Sequence, residues 1–356
     1  MNIRMKLAAV AAFAAALPAF AQIKINDNIS VYGWTVGSYQ YSSLKPTTGS
    51  TISTDSLNVD AGLLGATITP TKDVTATVSM YYRPSGGNAV PGGTNDASGV
   101  SPSGSEVTLL DAYVAYDCGN GLTATAGKFL SALGYESFYQ VSDNMITLAN
   151  QQFLAPIPGY HDGVKLDYAA DKTTTVGIAL VDSEYSKPGY NATEGDGELR
   201  HNAGFEAYAT YTGVENLTLW AGVGYDTKGS FEPHSVYVLD FWASYTIDKS
   251  STVAIEEIYK DGGNFALSKG SNWLVYYQYL FTDKLSSWFA FSGEDVSNVT
   301  IGKTTILGPR YWSASLAPAY AVTANLSVKF QYTYTKYSHT VLKDNNLIAT
   351  EVVFKF

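Results

Sequence analysis

Cysteine is nearly absent: the 356 residues hold one, Cys118, in a stretch that reads as a tight turn. One thiol makes no internal disulfide, so no bridge framework holds this fold together. Charge is thin as well, at 15% of residues, against about 25% in an average soluble domain. Beyond residues 7–17 no long unbroken apolar run occurs. A helix needs about 20 apolar residues to cross a bilayer, so a helical membrane protein is excluded. The four histidines, His161, His201, His234 and His339, are scattered, with no H-E-x-x-H and no G-x-S-x-G elbow. Gly302-Lys303-Thr304 imitates the end of a phosphate loop, but Ser297 stands where that motif needs glycine. No catalytic, cofactor or metal-ligating constellation emerges, and neither an enzyme nor a cofactor is expected.

Basic residues are also in short supply. The N-terminus places Arg4 and Lys6 before an apolar run and ends it with Ala19-Phe20-Ala21, the pattern of a signal peptide with an A-x-A cleavage site. Residues 1–21 are therefore expected to be removed, and residues 22–356 to form one exported domain. Without Arg4 and Lys6, 20 of the 22 basic residues stand against 32 acidic ones, a net charge of −12. A strongly acidic chain does not neutralise phosphates, which argues against a nucleic-acid partner.

What the chain does have is tyrosine, 27 of them, glycine, 32, and alternation. Counting back by twos from the terminal Phe356 gives Phe354, Val352, Thr350 and Ile348. Before them, Leu326, Val328, Phe330, Tyr332 and Tyr334 alternate with Ser327, Lys329, Gln331, Thr333 and Thr335. Successive side chains of a strand point to opposite faces, so each such strand has one oily and one polar face. In a soluble sandwich the oily face meets a second sheet; in an outer-membrane barrel it meets lipid, and the polar face lines a lumen.

The connections choose between these. Short turns such as Asp117-Cys118-Gly119-Asn120, Ala170-Asp171-Lys172 and Asp248-Lys249-Ser250, with one around Pro318 to Ala321, alternate with longer stretches rich in Gly, Ser, Asn and Pro. The longer ones are roughly 44–56, 84–105, 129–160, 183–202, 227–235, 261–270, 294–308 and 338–346. Short periplasmic turns and long extracellular loops are the sidedness of outer-membrane barrels. The expected fold is therefore all-β: a transmembrane antiparallel up-and-down barrel of about sixteen strands, with fourteen and eighteen as the neighbouring counts. Its partners would be the outer-membrane lipid bilayer and the barrel-insertion machinery, with Phe354 and Phe356 as the insertion signal.

At about 16 strands a barrel leaves an aqueous channel, and a channel's selectivity follows from the charges at its narrowing. Loop 129–160 is the longest candidate, and its apolar residues (Met145, Ile146, Leu148) favour folding into the lumen; a short helix is expected over 143–150. Alternation turns Asp111, Lys165, Glu206 and Asp240 inward and Leu110, Ala112 and Val114 outward. The candidate narrowing opposes Glu136 and Asp143 on the loop to Arg83, Lys128 and Lys165 on the wall. Glu256 and Glu257 are adjacent, so one must face lipid unless a bulge intervenes.

Asp111-Ala-Tyr-Val-Ala-Tyr116, Gly127-Lys128-Phe129, Gly134-Tyr135-Glu136 and Pro158-Gly-Tyr-His-Asp-Gly-Val164 together resemble a segment of the OmpL-like β-barrel porins. The resemblance covers roughly 106–180; elsewhere only the architecture matches. It implies an outer-membrane porin passing small hydrophilic solutes passively. The more distant likeness to general diffusion porins brings with it the expectation of a homotrimer. The other readings are a barrel used for adhesion or structure through its external loops, a channel for one substrate class such as sugars, and a soluble all-β secreted protein.

Overall fold

The computed structural model describes residues 22–83, 106–136, 145–147, 153–154, 157–182, 203–227, 235–262, 269–301 and 303–356. Sixteen antiparallel strands close into one barrel. They are β1 (Ile29–Pro46), β2 (Ile52–Thr71), β3 (Val74–Arg83), β4 (Glu106–Gly119), β5 (Leu122–Leu130), β6 (Tyr160–Ala169), β7 (Thr174–Val181) and β8 (Gly204–Tyr211). There follow β9 (Leu217–Asp226), β10 (Val236–Thr246), β11 (Ser251–Asp261), β12 (Gly270–Leu280), β13 (Leu285–Val296), β14 (Arg310–Ala321), β15 (Leu326–Ser338) and β16 (Leu342–Lys355). Each pairs with its neighbours in sequence, and β16 pairs back onto β1, with Ile348 opposite Tyr41 and Phe354 opposite Thr35. A short hairpin, Val299–Ile301 with Thr304–Ile306, stands apart from the barrel sheet.

The last residue finishes the closing seam. The Phe356 N–H donates to the Gly33 carbonyl at 2.9 Å, and the Gly33 N–H donates back at 2.8 Å. A Cβ on Gly33 would lie 2.7 Å from the Phe356 ring and 2.8 Å from the Leu63 carbonyl.

The faces follow the alternation. Leu64, Met80, Val164, Ile178, Leu239 and Leu316 are 50–59% exposed, whereas Thr77, Ser79, Asp240, Glu294 and Gln331 are buried on the opposite face. Apolar outside and polar inside is the inverse of a soluble domain and suits a lipid surround. At the short-turn end Tyr116, Tyr168, Tyr211, Tyr245 and Tyr320 lie exposed on the outer face, where amphipathic rings suit the headgroup level. The short turns are built by side chains that cap their own backbone. In one, the Thr173 and Thr174 N–H groups donate to Asp171 Oδ1 at 2.7 and 2.8 Å. Those bonds hold the Asp171 carboxyl below the usual carboxylate range.

Three local features depart from simple alternation. The β3–β4 register shifts between Val78 and Met80, so that Met80 pairs with Leu109 and Val78 with Ala112. This bulge turns Leu110 inward, where it is 2% exposed beside Asp111, against its expected outward place. A second shift, between Val36 and Gly37, inserts Asp60 between the paired residues Val59 and Ala61 of β2 and brings it to the inner face. Pro318 lies within β14, opposite Ser287 of β13, rather than in the turn; the turn falls after Ala321, where the Val322 N–H donates to the Leu326 carbonyl. Two connections read as long are short, because β1 with β2 and β15 with β16 extend their pairing to leave only 47–51 and 339–341 between them.

Glu256 and Glu257 resolve without a bulge: β11 keeps one register against β12, burying Glu256 inside and exposing Glu257 outside between Phe241 and Trp273. Replacing Glu257 with Leu should stabilise the barrel by about 1 kcal/mol, since a carboxylate on the lipid face costs less than the 2–4 kcal/mol of a midplane Lys or Arg. Urea unfolding in lipid vesicles measures this; an unchanged midpoint would refute it. Gly33→Val should act oppositely, costing about 1–3 kcal/mol through overpacking at the seam and reducing the fraction of chain that runs as folded barrel on unheated gels.

Candidate functional site

The inner face of β8 to β15 carries the segment between β5 and β6. The chain leaves β5 at Leu130 and runs along the wall. The Ser131 hydroxyl donates to Glu206 of β8, and the Ala132 N–H reaches the other oxygen of the same carboxylate at 3.1 Å. The Gly134 N–H donates to Asp240 of β10 at 2.7 Å, and the Tyr135 N–H to Glu256 of β11 at 2.5 Å. The Tyr276 hydroxyl of β12 donates to Glu136 itself. Farther round, the Ile146 and Thr147 N–H groups share Gln331 Oε1 of β15 at 2.6 and 3.3 Å, and the Gln331 amide donates to the Thr147 hydroxyl. The Phe153 N–H donates to Glu294 of β13 at 2.6 Å, and Lys260 of β11 donates to the Leu154 carbonyl at 3.2 Å.

The chemical reason is plain. An irregular segment inside a barrel cannot form a sheet ladder, so its N–H groups need other acceptors. Carboxylates accept such bonds more strongly than neutral groups do. Apolar contacts complete the anchoring. Leu133 and Ile157 pack with Tyr208, Trp220, Val238 and Ile258. Met145, 1% exposed, packs with Leu274, Tyr276, Ala290 and Ala317. Under the loop the rings of Tyr208, Trp220 and Trp242 stack in a row, with centroids 6.1 and 5.9 Å apart and planes within 18° and 6°.

The residues singled out in the sequence fall into three groups. Asp111, Glu206 and Asp240 are buried on the inner wall, with Asp111 bonded to the Ser79 hydroxyl at 2.6 Å. Lys165 is also inside, 3.4 Å from Asp167 and over the Phe129 ring, so its charge is shared with a neighbour on its own strand. Lys128 is a correction: it pairs in register with Ala112 and Asp162, on the outward face shared with Val114 and Val164, because Gly127 and Phe129 take the inward positions. Asp143 and the Arg83 side chain lie outside the described residues, as does most of the expected helix 143–150, of which 145–147 is a bend. The residues missed were Glu256, Glu294 and Gln331 as loop anchors, Lys329 on β15 beside Gln331, and Asp60 and Glu351 on β2 and β16. Parity alone points Gln331, Lys329 and Glu351 inward; Asp60 is hidden by its bulge.

The family described as "Putative beta-barrel porin-2, OmpL-like" matches residues 28–356, the whole barrel. The chain belongs to that family. It is thus an outer-membrane porin, a barrel for passive diffusion across the bacterial outer membrane. Solved structures share the porin's fold at low identity. The outer membrane channel DcaP of Acinetobacter baumannii is 13% identical with a TM-score of 0.61, over 94% of this chain and 100% of that one. OprB of Pseudomonas putida at high pH is 13% identical with a TM-score of 0.64, over 92% and 94%. OmpF of Salmonella typhi is 13% identical with a TM-score of 0.65, over 94% and 100%. No curated protein matches the porin's sequence.

Asp240→Ala combined with Glu256→Ala should loosen the inward loop, because each lost acceptor strands a loop N–H at a cost of about 1–3 kcal/mol. Single-channel recordings are expected to show larger and noisier conductance than wild type. Identical traces would mean that the loop does not depend on these anchors.

Proposed function

We propose that the porin is a narrowed, cation-preferring diffusion channel for small hydrophilic solutes and ions, with loop 129–160 as its constriction. The observation that carries this reading is the anchoring of residues 131–136, 145–147 and 153–154 along the inner face of β8 to β15. That leaves the passage between the loop and the remaining wall. The charge on the inner face supports the ion preference: Asp60, Asp111, Glu206, Asp240, Glu256 and Glu294 stand against Lys165, Lys260 and Lys329. A passage lined by one sign of charge concentrates counter-ions and repels co-ions. Glu136 belongs to this acidic set, and Asp143 and Arg83 are assigned to the same narrowing by their place in the sequence.

Residues 1–21 are the export signal in this reading, and Phe354 with Phe356 mark the strand that the insertion machinery reads. The seam contact of Phe356 with Gly33 gives that signal a structural use as well. A homotrimer is the proposed assembly. The OmpT of Vibrio cholerae described in a trimer form shares the fold, with a TM-score of 0.58 and 13% identity over 93% of this chain and 100% of that one. A second reading is a channel selective for sugars, which would need the row Tyr208–Trp220–Trp242, packed under the loop, to be uncovered.

Planar-bilayer recordings test both. Under a potassium chloride gradient the reversal potential should report potassium preferred over chloride several-fold, and neutral monosaccharides should leave the current unchanged. An anion-directed potential would overturn the cation reading, and a concentration-dependent block by sugar would favour the second one. A bilayer that never conducts would remove the channel reading itself.

A further inference from the structure

The inward loop has two feet, and both are tied to one side chain. The chain leaves the wall at Leu130 of β5 and rejoins it at Tyr160 of β6. The feet lie side by side, because the Ser131 N–H donates to the Gly159 carbonyl at 2.9 Å. Both reach Glu206 of β8. On the departing foot, the Ser131 hydroxyl donates to Glu206 Oε1 and the Ala132 N–H to Oε2 at 3.1 Å. On the returning foot, His161 Nε2 lies 3.2 Å from the same Oε1. An ionised carboxylate only accepts, so this bond needs the proton on Nε2. The Ser131 hydroxyl in turn accepts from the Leu133 N–H at 3.1 Å.

His161 is held for this contact by its neighbours. Its ring meets Phe129 of β5 edge to face, with centroids 6.3 Å apart and planes at 78°. β7 lies between β6 and β8, and its residues packed with Phe129 are Ala179 and Val181. Ala179 pairs directly with Glu206, and a side chain of one methyl group leaves the imidazole room to reach across. The His161 and Glu206 side chains are 0% and 1% exposed. A carboxylate at that depth needs its acceptor sites filled by donors, and His161 supplies the donor that comes from the returning chain. The remaining acidic anchors serve the span: Asp240, Glu256 and Glu294 take the N–H groups of Gly134, Tyr135 and Phe153. Among the described residues, it is at Glu206 that the two feet meet.

We propose that His161 is a positioning residue for the constriction: through Glu206 it clasps the departing foot of the loop to the strand on which the loop returns, and so fixes where the loop enters the lumen. The clasp bears on permeation through the reading of loop 129–160 as the constriction, on which that part of the proposal rests. Without the imidazole the carboxylate loses its hold on β6, and the foot bonded to it loses that reference.

The test compares the full chain as wild type, H161Q and H161F. Glutamine carries an amide N–H to the place of Nε2 without the ring, and phenylalanine keeps a ring against Phe129 without the N–H. Hydrogen exchange of the barrel in lipid vesicles, followed by mass spectrometry, reads the departing foot at residues 131–136. H161F should raise exchange there roughly tenfold, the factor for losing one hydrogen bond to a charged group, and H161Q should keep the wild-type rate. In planar bilayers H161F should show excursions to higher conductance roughly tenfold more often than wild type, and H161Q should not. A folded H161F with wild-type exchange would overturn the clasp, and so would an H161Q that exchanges as fast as H161F. Raised exchange in H161F with an unchanged current leaves the clasp standing and removes the constriction reading instead. Should H161F not assemble, wild type decides: exchange at 131–136 as fast as in the exposed turn 48–51 overturns the clasp.

Discussion

Backbone hydrogen bonding in the absence of water is the constraint from which this molecule follows. In hydrocarbon every N–H and C=O must find a partner within the protein, and a sheet satisfies that only if it has no edge. The ladder therefore runs unbroken through sixteen strands and returns from β16 to β1. The seam is the one place where two distant parts of the chain must meet in register. There the reciprocal bonds of Gly33 and Phe356 extend the pairing to the last residue, and only a residue without a side chain lets the ring sit against the strand. Closure then fixes sidedness: with an unbroken ladder, a period of two sends one residue set to lipid and the other to the lumen.

The same constraint acts again inside the barrel. The segment after β5 has no strand partner, so its N–H groups take acceptors from the wall. Those acceptors are mostly carboxylates: Glu206, Asp240, Glu256 and Glu294. Such an acid does two things at once. It holds the loop by one oxygen or, in Glu206, by both, and it adds its acidity to the inner face. Asp240 illustrates the division, with Oδ2 taken by Gly134 and Oδ1 left without a hydrogen-bond partner. Mechanical anchoring thus rests on the same acids that the proposed cation preference draws on.

Much of the fold was legible because it rests on period and punctuation. Val74, Ala76, Val78 and Met80 could be assigned to the outer face from sequence alone, since the extra residue of the bulge lies on β4 and leaves the β3 count uninterrupted. What could not be read was where the count skips. Leu110 and Asp60 are displaced by bulges, and a bulge leaves no mark in an alternating pattern unless the partner strand is known. Lys128 fails for a related reason. Its outward side follows from its register with Ala112 and Asp162, and neither its charge nor the neighbouring glycine and phenylalanine announces that. Charge suggested the lumen, and pairing overruled it.

The loop's asymmetry has a further consequence for how a solute meets this channel. On the β8 to β15 side, the wall's polar groups are largely engaged with loop backbone, and its aromatic row Tyr208–Trp220–Trp242 lies beneath apolar loop residues. On the β16 to β2 side Glu351 pairs with Lys329 at 3.0 Å, and Asp60 is buried at the bulge beside Ser38. An ion moving through a low-dielectric constriction feels the side where charge is not already spent on hydrogen bonds. The β8 to β15 half of the lumen therefore holds the loop in place. An acid moved from one half to the other would change its role without changing the net charge of the chain.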